Sequence, residues 1–331
     1  MKNSPSVFFL SAQTSSGFVS FAPSLTGNQP LLLQLYCGRD ADAFAALSQD
    51  PLLEDATELY LSPFHSGQAG FSSRDGTTVL VGSELSTLPA DLPAELVELH
   101  IGATPPHLTP TQREKLLSLH RQMIRQKERH IRYLSAAASL LGENRRLAEC
   151  HLDREKLKRF ADRFCQKYLP PRKSTPGNES FRFLSAEKEE GHFLEETARK
   201  LAPRLTVLED EFGAVSTGLM AQIRGEGLRR GYDAISCFCP VKGVGIPEHL
   251  FFPQAGIGLL TSNSFHAPQR RGEPRIRAAR FLAPATLRPY RQRMRFNRKA
   301  ARELLFQGRQ VFAELLCLQE ERDALVSSSR K

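Results

Sequence analysis

A short turn in the second half of the chain carries residues that can bind an anion. Gly213, Ser216 and Thr217 follow the apolar run 205–208 and precede a predicted helix. Backbone N–H groups and hydroxyls at a helix N-terminus are donors for phosphate groups. These three residues are therefore candidate contacts for a nucleotide cofactor.

Three consecutive acids, residues 209–211, precede these donors. Carboxylates can hold a divalent metal. A short acidic run is more often a solvated turn, and here it can also complement a basic helix of the same chain. We favour the second interpretation and predict no metal site.

Two histidines, His107 and His266, follow the predicted strands 96–101 and 257–261. In α/β sheets, ligands bind beside the carboxyl ends of the strands. A histidine there can contact a small molecule or act as a general acid or base. The sequence shows no partner acid or nucleophile, so a turn histidine bonded to backbone is the favoured interpretation of both.

Other signals of catalysis are missing from the sequence. It has no G-x-S-x-G and no H-E-x-x-H motif. Its six cysteines have no framework spacing, and we expect them to be reduced thiols. Cys237 and Cys239 would lie on one strand with no second pair of ligands nearby. We therefore predict no catalytic residue.

The positive charge is concentrated in one segment. The formal net charge is +9, and residues 266–302 contain twelve arginines and lysines but a single acid, Glu273. On a helix over 288–302, Arg291, Arg295, Arg298 and Arg302 would share one face. Such a stripe can bind nucleic acid. The alternative is a solvated helix that meets acids of a protein partner or of the turn 209–211.

The elements that position these residues recur along the chain. Phe-Leu-Ser-Ala occurs at 9–12 and at 183–186, a strand ending in proline occurs at 58–63 and at 234–240, and a strand followed by histidine ends at His107 and at His266. A helical apolar stripe over 116–140 recurs over 287–311, with Gln126 and Asn297 at equivalent positions. Four matches in the same order predict a duplicated unit.

We predict two copies of an α/β unit, over 1–171 and 178–331, joined by a Pro/Gly-rich linker over 172–177. The predicted strands are 31–36, 58–61, 77–81 and 96–101, then 205–208, 234–238, 250–252 and 257–261. Helices are predicted over 41–49, 153–168 and 218–230, besides the two long stripes. Alternating strands and helices predict a three-layer arrangement around mostly parallel sheets.

Several segments make the chain resemble a bacterial family of duplicated P-loop ATPase-like proteins over essentially its whole length. They are the segments 228–233, 239–240 and 295–301, and the strands that end at His107 and His266. The resemblance implies two P-loop NTPase-like units, each with a phosphate loop, and Mg·ATP or Mg·GTP as the ligand.

Both loops depart from the pattern G-x-x-x-x-G-K-[ST] that a working phosphate loop needs. In the turn 37–44, Ala43 and Phe44 replace the lysine and the hydroxyl, and in the turn 209–217 Ser216 stands near the lysine position after three acids. A carboxylate about 4 Å from a phosphate costs roughly 4 kcal/mol. Micromolar binding is worth only about 8 kcal/mol.

The sequence therefore predicts a non-catalytic or weakly nucleotide-binding scaffold whose partner is another protein or a second copy. The first alternative is a divergent nucleoside-triphosphate hydrolase that uses Ser216, Thr217 and the two histidines. The second is nucleic-acid binding through the arginine helix. No apolar run reaches the ~18 residues of a membrane span. We expect a cytoplasmic protein without a membrane partner.

Overall fold

The computed structural model describes residues 4–25, 31–37, 47–64, 68–74, 77–81, 94–101, 108–186, 194–269 and 271–328. The strands of the first half are β1 (Ser6–Phe9), β2 (Ser11–Thr14), β3 (Gly17–Ser20), β4 (Leu31–Cys37), β5 (Ala56–Leu61), β6 (Gln68–Ser73), β7 (Thr77–Val81) and β8 (Ala94–Ile101). Those of the second are β9 (Glu179–Phe183), β10 (Arg204–Glu209), β11 (Ala234–Phe238), β12 (His249–Phe252), β13 (Ile257–Ser262) and β14 (Arg275–Arg277). The helices are α1 (Pro110–Glu149), α2 (Arg154–Tyr168), α3 (Glu195–Leu201), α4 (Ala214–Arg229), α5 (Pro284–Leu287) and α6 (Arg291–Ser328).

Twelve of these strands form one sheet, in which two sets of six have the same order. From the centre outward the sets are β1-β5-β6-β7-β4-β8 and β9-β11-β12-β13-β10-β14. Corresponding neighbours also run in the same relative directions. The sets meet where β1 lies antiparallel to β9, with Phe9 opposite Phe183.

The sheet is mixed, because each set contains one reversed strand. β6 and β12 are antiparallel to both of their neighbours, whereas the pairs around β4 and β10 are parallel. The direction of these strands follows from the length of the connection to the next strand. A short connection can join only antiparallel neighbours, whereas a parallel pair needs a longer crossover. Four residues, 253–256, connect β12 to β13.

Most predicted elements are present, and two of the sequence matches have equivalent places in the sheet. These are the pair 9–12 and 183–186 beside the central strands, and the pair β5 and β11. The predicted helix over 41–49 lies almost entirely outside the described residues. The boundaries 1–171, 172–177 and 178–331 remain a prediction.

The third sequence match is wrong as a structural equivalence. β8, which precedes His107, lies at the outer edge beside β4, in the place that β14 has in the other set. β13, which precedes His266, lies between β12 and β10. An apolar run followed by histidine marks the end of a buried strand but carries no information about its neighbours.

Helices cover both faces of the second set of strands. Leu208 and Leu259 pack on one face with Leu157 of α2 and Val215 of α4. On the opposite face, Val207 and Leu260 pack with Ala198 of α3. Successive strand residues point to opposite faces, which explains why the adjacent residues Val207 and Leu208 of β10 are both apolar and buried.

A buried ion pair links the two sets of strands near the centre of the sheet. Arg182 of β9 is 4% exposed, and its Nε and one terminal nitrogen lie 3.1 and 2.8 Å from Oε2 of Glu58 in β5. The guanidinium also faces the rings of Phe8 and Tyr60. The Tyr60 hydroxyl donates to the same Glu58 oxygen, at 2.9 Å. Each set therefore supplies a charge that the other neutralises.

The two long helices pack against each other in an antiparallel pair, α1 with α6. Gln126 bonds to Glu314 at 2.9 Å, and Asn297 bonds to Asn144 at 3.0 Å. Gln126 and Asn297, the two amides that the sequence placed at equivalent positions, both reach across the interface between the helices. A buried polar contact of this kind fixes the register of a helix pair.

This helix pair lies over loops at the carboxyl edge of both sets of strands. After β5, the ring of Phe64 lies 6.1 Å from that of Phe312 in α6. After β11, Val241 packs with Leu134 and Leu141 of α1. The edge at which α/β sheets bind ligands is thus partly covered by the chain's own helices.

Residues 170–177 are packed against the end of α4. The amide of Arg172 donates to the carbonyl of Arg230, and that of Gly177 to the carbonyl of Leu228. A β-carbon on residue 177 would lie 1.9 Å from the carbonyl oxygen of Tyr232. Only glycine permits this backbone approach.

Gly177→Ala should therefore lower the free energy of unfolding by about 2 kcal/mol or more, since a backbone contact has to open. The matched control is Gly225→Ala in α4, where an added methyl group meets nothing within 4 Å. That change should stabilise the helix by about 0.5–1 kcal/mol. Urea unfolding of both variants provides the measurement. Equal stabilities of the two variants would contradict the packing described for 170–177.

Candidate functional site

The turn between β10 and α4 is organised by the carboxylate of Asp210. Oδ1 accepts the N–H groups of Phe212 at 3.2 Å and Gly213 at 3.0 Å, and Oδ2 accepts that of Ser216 at 2.7 Å. Asp210 is 2% exposed. Gly213 has φ +77°, which turns the chain into the helix in a conformation that favours glycine. An internal anion thus occupies the N-terminus of α4.

The three predicted anion contacts are brought together in this turn. Gly213 and Ser216 give their N–H groups to Asp210, and the N–H of Thr217 bonds to the Gly213 carbonyl at 3.2 Å. The Ser216 hydroxyl donates to the same carbonyl, also at 3.2 Å. In this structure the N–H groups of all three predicted contacts are therefore already used.

The other two acids of the turn bind arginines. Glu209 pairs with Arg275 at 3.1 Å and Arg277 at 3.8 Å, and Glu211 pairs with Arg298 of α6 at 2.9 Å. The suggestion that this acidic run complements the basic helix of the same chain is confirmed for Glu211. No group of three or more His, Cys, Asp or Glu side chains arranged to hold a metal ion occurs in the described part of the chain.

A lysine from a different loop lies beside the turn. Lys242 follows β11, and its Nζ lies close to Gly213, at 3.8 Å from where a β-carbon would be. It pairs with Glu248 at 2.9 Å. Burial alone would raise the pKa of Glu248, but Lys242 and, to a smaller extent, His249 and His266 hold it well below its usual range. Both members of the pair are therefore charged at neutral pH.

His249 and His266 form a pair of rings behind this ion pair, with centroids 5.0 Å apart. Nδ1 of His249 accepts the N–H of Thr261 at 3.2 Å, which leaves the proton of the neutral ring on Nε2. Burial lowers the pKa of His249 to about 3 and also lowers that of His266. Both imidazoles are therefore neutral at pH 7.

His266 itself lies in a tight turn. Its N–H and carbonyl exchange hydrogen bonds with the backbone of Asn263, at 3.2 and 2.8 Å, as the turn interpretation expected. His107 is outside the described residues. Burial, with a smaller contribution from the charge of Glu248, raises the pKa of the Cys239 thiol to about 12. A protonated thiol is a poor nucleophile.

Lys242, Glu248 and His249 were not predicted from the sequence, and neither was the capping role of Asp210. A usable signal was present for two of them: Glu248 and His249 are polar residues directly before the apolar strand residues 250–252. No sequence pattern identified Lys242, because its position depends on the packing of the loop after β11 against the turn after β10.

The predicted arginine stripe lies along one face of α6, as expected, but it is divided between two environments. Arg298 pairs with Glu211, and Arg302 lies over the ring of Phe265, at 5.8 Å. Arg291 and Arg295 are exposed and have no ion pair within the described residues. The stripe divides because Arg298 and Arg302 face the loops after β10 and β13.

Comparison of the chain with protein-family models, with curated proteins and with solved structures gives no significant match. Five of the cysteines are free thiols: Cys150, Cys165, Cys237, Cys239 and Cys317. Among the described helices, none combines the length and the apolar character that crossing a bilayer requires.

Because His249 is buried in its neutral form, the free energy of unfolding should depend on pH. Below about pH 6.5 the unfolded chain binds a proton that the folded protein excludes until about pH 3, so stability falls as the pH falls. Between pH 7.5 and 5 this residue should remove about 2 kcal/mol from the free energy of unfolding. Over the same pH interval, the free energy of unfolding of His249→Gln should fall by about 2 kcal/mol less than that of the unchanged protein. Urea unfolding of both proteins at pH 7.5 and pH 5 provides the measurement.

The control for this measurement is His120→Gln, on the exposed face of α1. It should show the same dependence on pH as the unchanged protein. If His249→Gln also kept the full dependence, His249 would not be the residue that excludes the proton.

Proposed function

We propose that this protein is a tandem pseudo-P-loop NTPase-like protein that acts as an interaction scaffold and binds nucleotide weakly or not at all. The two sets of six strands support a duplicated unit, and the turn after β10 supports a degenerate loop. The observation that carries the proposal is the Asp210 carboxylate, which takes the backbone donors at the N-terminus of α4.

The energetics of that carboxylate oppose nucleotide binding. A phosphate brought to within about 4 Å of a carboxylate loses roughly 4 kcal/mol at an effective dielectric of ~20. Micromolar binding is worth about 8 kcal/mol, so a loss of roughly 4 kcal/mol leaves a dissociation constant in the millimolar range. Lys242 does not offset this cost, because Glu248 already neutralises its charge.

The helix pair supplies the surface for a protein partner or a second copy. Large apolar side chains are exposed on both helices: Leu117 and Ile124 on α1, and Phe296 and Phe306 on α6. Phe296 is 68% exposed and Phe306 is 50% exposed. Exposed aromatic side chains with neighbouring arginines are typical of protein interfaces.

The nucleotide part of the proposal is tested by calorimetric titration with Mg·ATP and Mg·GTP. The unchanged protein should show no low-micromolar dissociation constant. Asp210→Ala frees three N–H groups and removes a charge, so it should bind either nucleotide at least tenfold more tightly, at a cost in stability of about 1–2 kcal/mol. Thermal melting establishes that the variant is folded at the titration temperature.

Glu211→Ala is the matched control, because it removes the neighbouring carboxylate, which accepts the N–H of Ser264 but none in the turn into α4. It should gain much less affinity than Asp210→Ala. Low-micromolar binding by the unchanged protein, with turnover that Thr217→Ala abolishes, would instead support a divergent nucleoside-triphosphate hydrolase.

Nucleic-acid binding is a second candidate, favoured by the exposure of Arg291 and Arg295 beside Phe296 on α6. If this face binds RNA or DNA through about two to four phosphates, the logarithm of the affinity should fall with that of the salt concentration with a slope of about −2 to −4. Arg291→Gln with Arg295→Gln should reduce the slope by about 2. No binding of labelled RNA or DNA at low salt would eliminate this candidate.

A further inference from the structure

A cavity of about 260 Å³ lies between α6 and the carboxyl edge of the second set of strands. On the sheet side it is lined by Lys242, Glu248 and His266, and on the helix side by Arg302 and Arg309. It is separate from the donors of the turn after β10, because Gly213, Ser216 and Thr217 do not line it.

The charges around this cavity do not balance. Glu248 neutralises Lys242, at 2.9 Å, and His266 is neutral because burial lowers its pKa. Arg302 contacts the ring of Phe265 and has no ion pair within the described part of the chain. Arg309 has no hydrogen bond or ion pair there. Two guanidinium charges two helical turns apart on α6, those of the exposed Arg302 and the half-buried Arg309, thus line one cavity with no carboxylate partner among the described residues.

Cations in a partly enclosed cavity attract anions more strongly than cations on an open surface, because solvent screens them less. Guanidinium groups present paired donors that match the oxygens of a phosphate. A dianion would match the two unbalanced charges. A phosphate monoester is such a group at neutral pH.

The rest of the cavity wall is suited to an apolar body. Leu141, Val241, Phe265 and Leu305 line it beside the charged residues. Its volume exceeds the about 150 Å³ of an apolar cavity that accepts a benzene ring in another protein. Inorganic phosphate alone would leave these apolar walls unfilled.

We propose that this cavity binds a small phosphate monoester with an apolar or aromatic body. Its phosphate lies between Arg302 and Arg309, and its apolar part lies against Phe265 and Leu305. The site does not depend on the phosphate-loop resemblance and uses none of the residues of the turn after β10.

Phenyl phosphate is the probe for this site, with inorganic phosphate and phenol as its two separate parts. In calorimetry and thermal melting, phenyl phosphate should bind about tenfold or more tightly than either part, because it uses the arginines and the apolar wall together. It should raise the melting temperature at concentrations at which the parts do not.

Arg309→Gln should weaken the binding of phenyl phosphate about tenfold or more, while the binding of phenol stays the same. Arg309→Lys retains the charge without the paired donors and should give an intermediate affinity. Arg295→Gln, on the exposed part of α6, is the matched control and should leave binding unchanged. Melting curves without ligand show whether each variant is folded.

The proposal is overturned if phenyl phosphate produces no thermal shift at about 10 mM, or if Arg309→Gln and Arg295→Gln affect binding equally. Its failure is distinguishable from failure of the scaffold proposal. The scaffold proposal fails if the protein binds Mg·ATP or Mg·GTP tightly and this binding depends on Thr217. A substitution of Arg309 does not affect that test.

Discussion

The burial of one carboxylate, that of Asp210, determines the arrangement at the carboxyl edge of the second set of strands. A buried carboxylate is stable only if donors surround it, and the N-terminus of α4 supplies three. This capping fixes the backbone path between β10 and α4. That path places Glu209 beside Arg275 and Glu211 beside Arg298. The turn that could have bound an external anion is thereby completed by the chain itself.

The same constraint extends to the loop after β11. Lys242 lies beside the capped turn, where it adds a positive charge near Asp210, and Glu248 neutralises it. With those charges paired, His249 and His266 are buried as neutral rings. Charges are therefore matched near the turn after β10. Among the described residues that line the cavity at this edge, Arg302 and Arg309 of α6 have no carboxylate partner.

Much of the secondary structure was predictable from the sequence, because it depends on local patterns. Apolar runs such as 205–208 and 257–261 identify buried strands, and the stripe from Leu116 to Leu140 identifies a long amphipathic helix. The neighbours of each strand were not predictable in this way. The segments before His107 and His266 have the same pattern but different positions in the sheet, because strand order depends on long-range packing that no short window records.

The candidate site was predictable only in part, for the same reason. Gly213, Ser216 and Thr217 are adjacent in sequence, so their grouping at a helix N-terminus follows from one local motif. Asp210 is equally close, but its role as a cap depends on a turn geometry that Gly213 creates. Lys242 and Arg309 come from distant segments, and only the folded chain brings them to the same edge.

The ion pair between Arg182 and Glu58 has a consequence for how the molecule unfolds. The guanidinium is 4% exposed, and its carboxylate partner belongs to the other set of strands. The rings of Phe8 and Tyr60, which cover the guanidinium, also belong to the first set, so loss of that set would remove both the partner and the cover of this charge. The contact between Arg182 and Glu58 therefore couples the stability of one set of strands to that of the other.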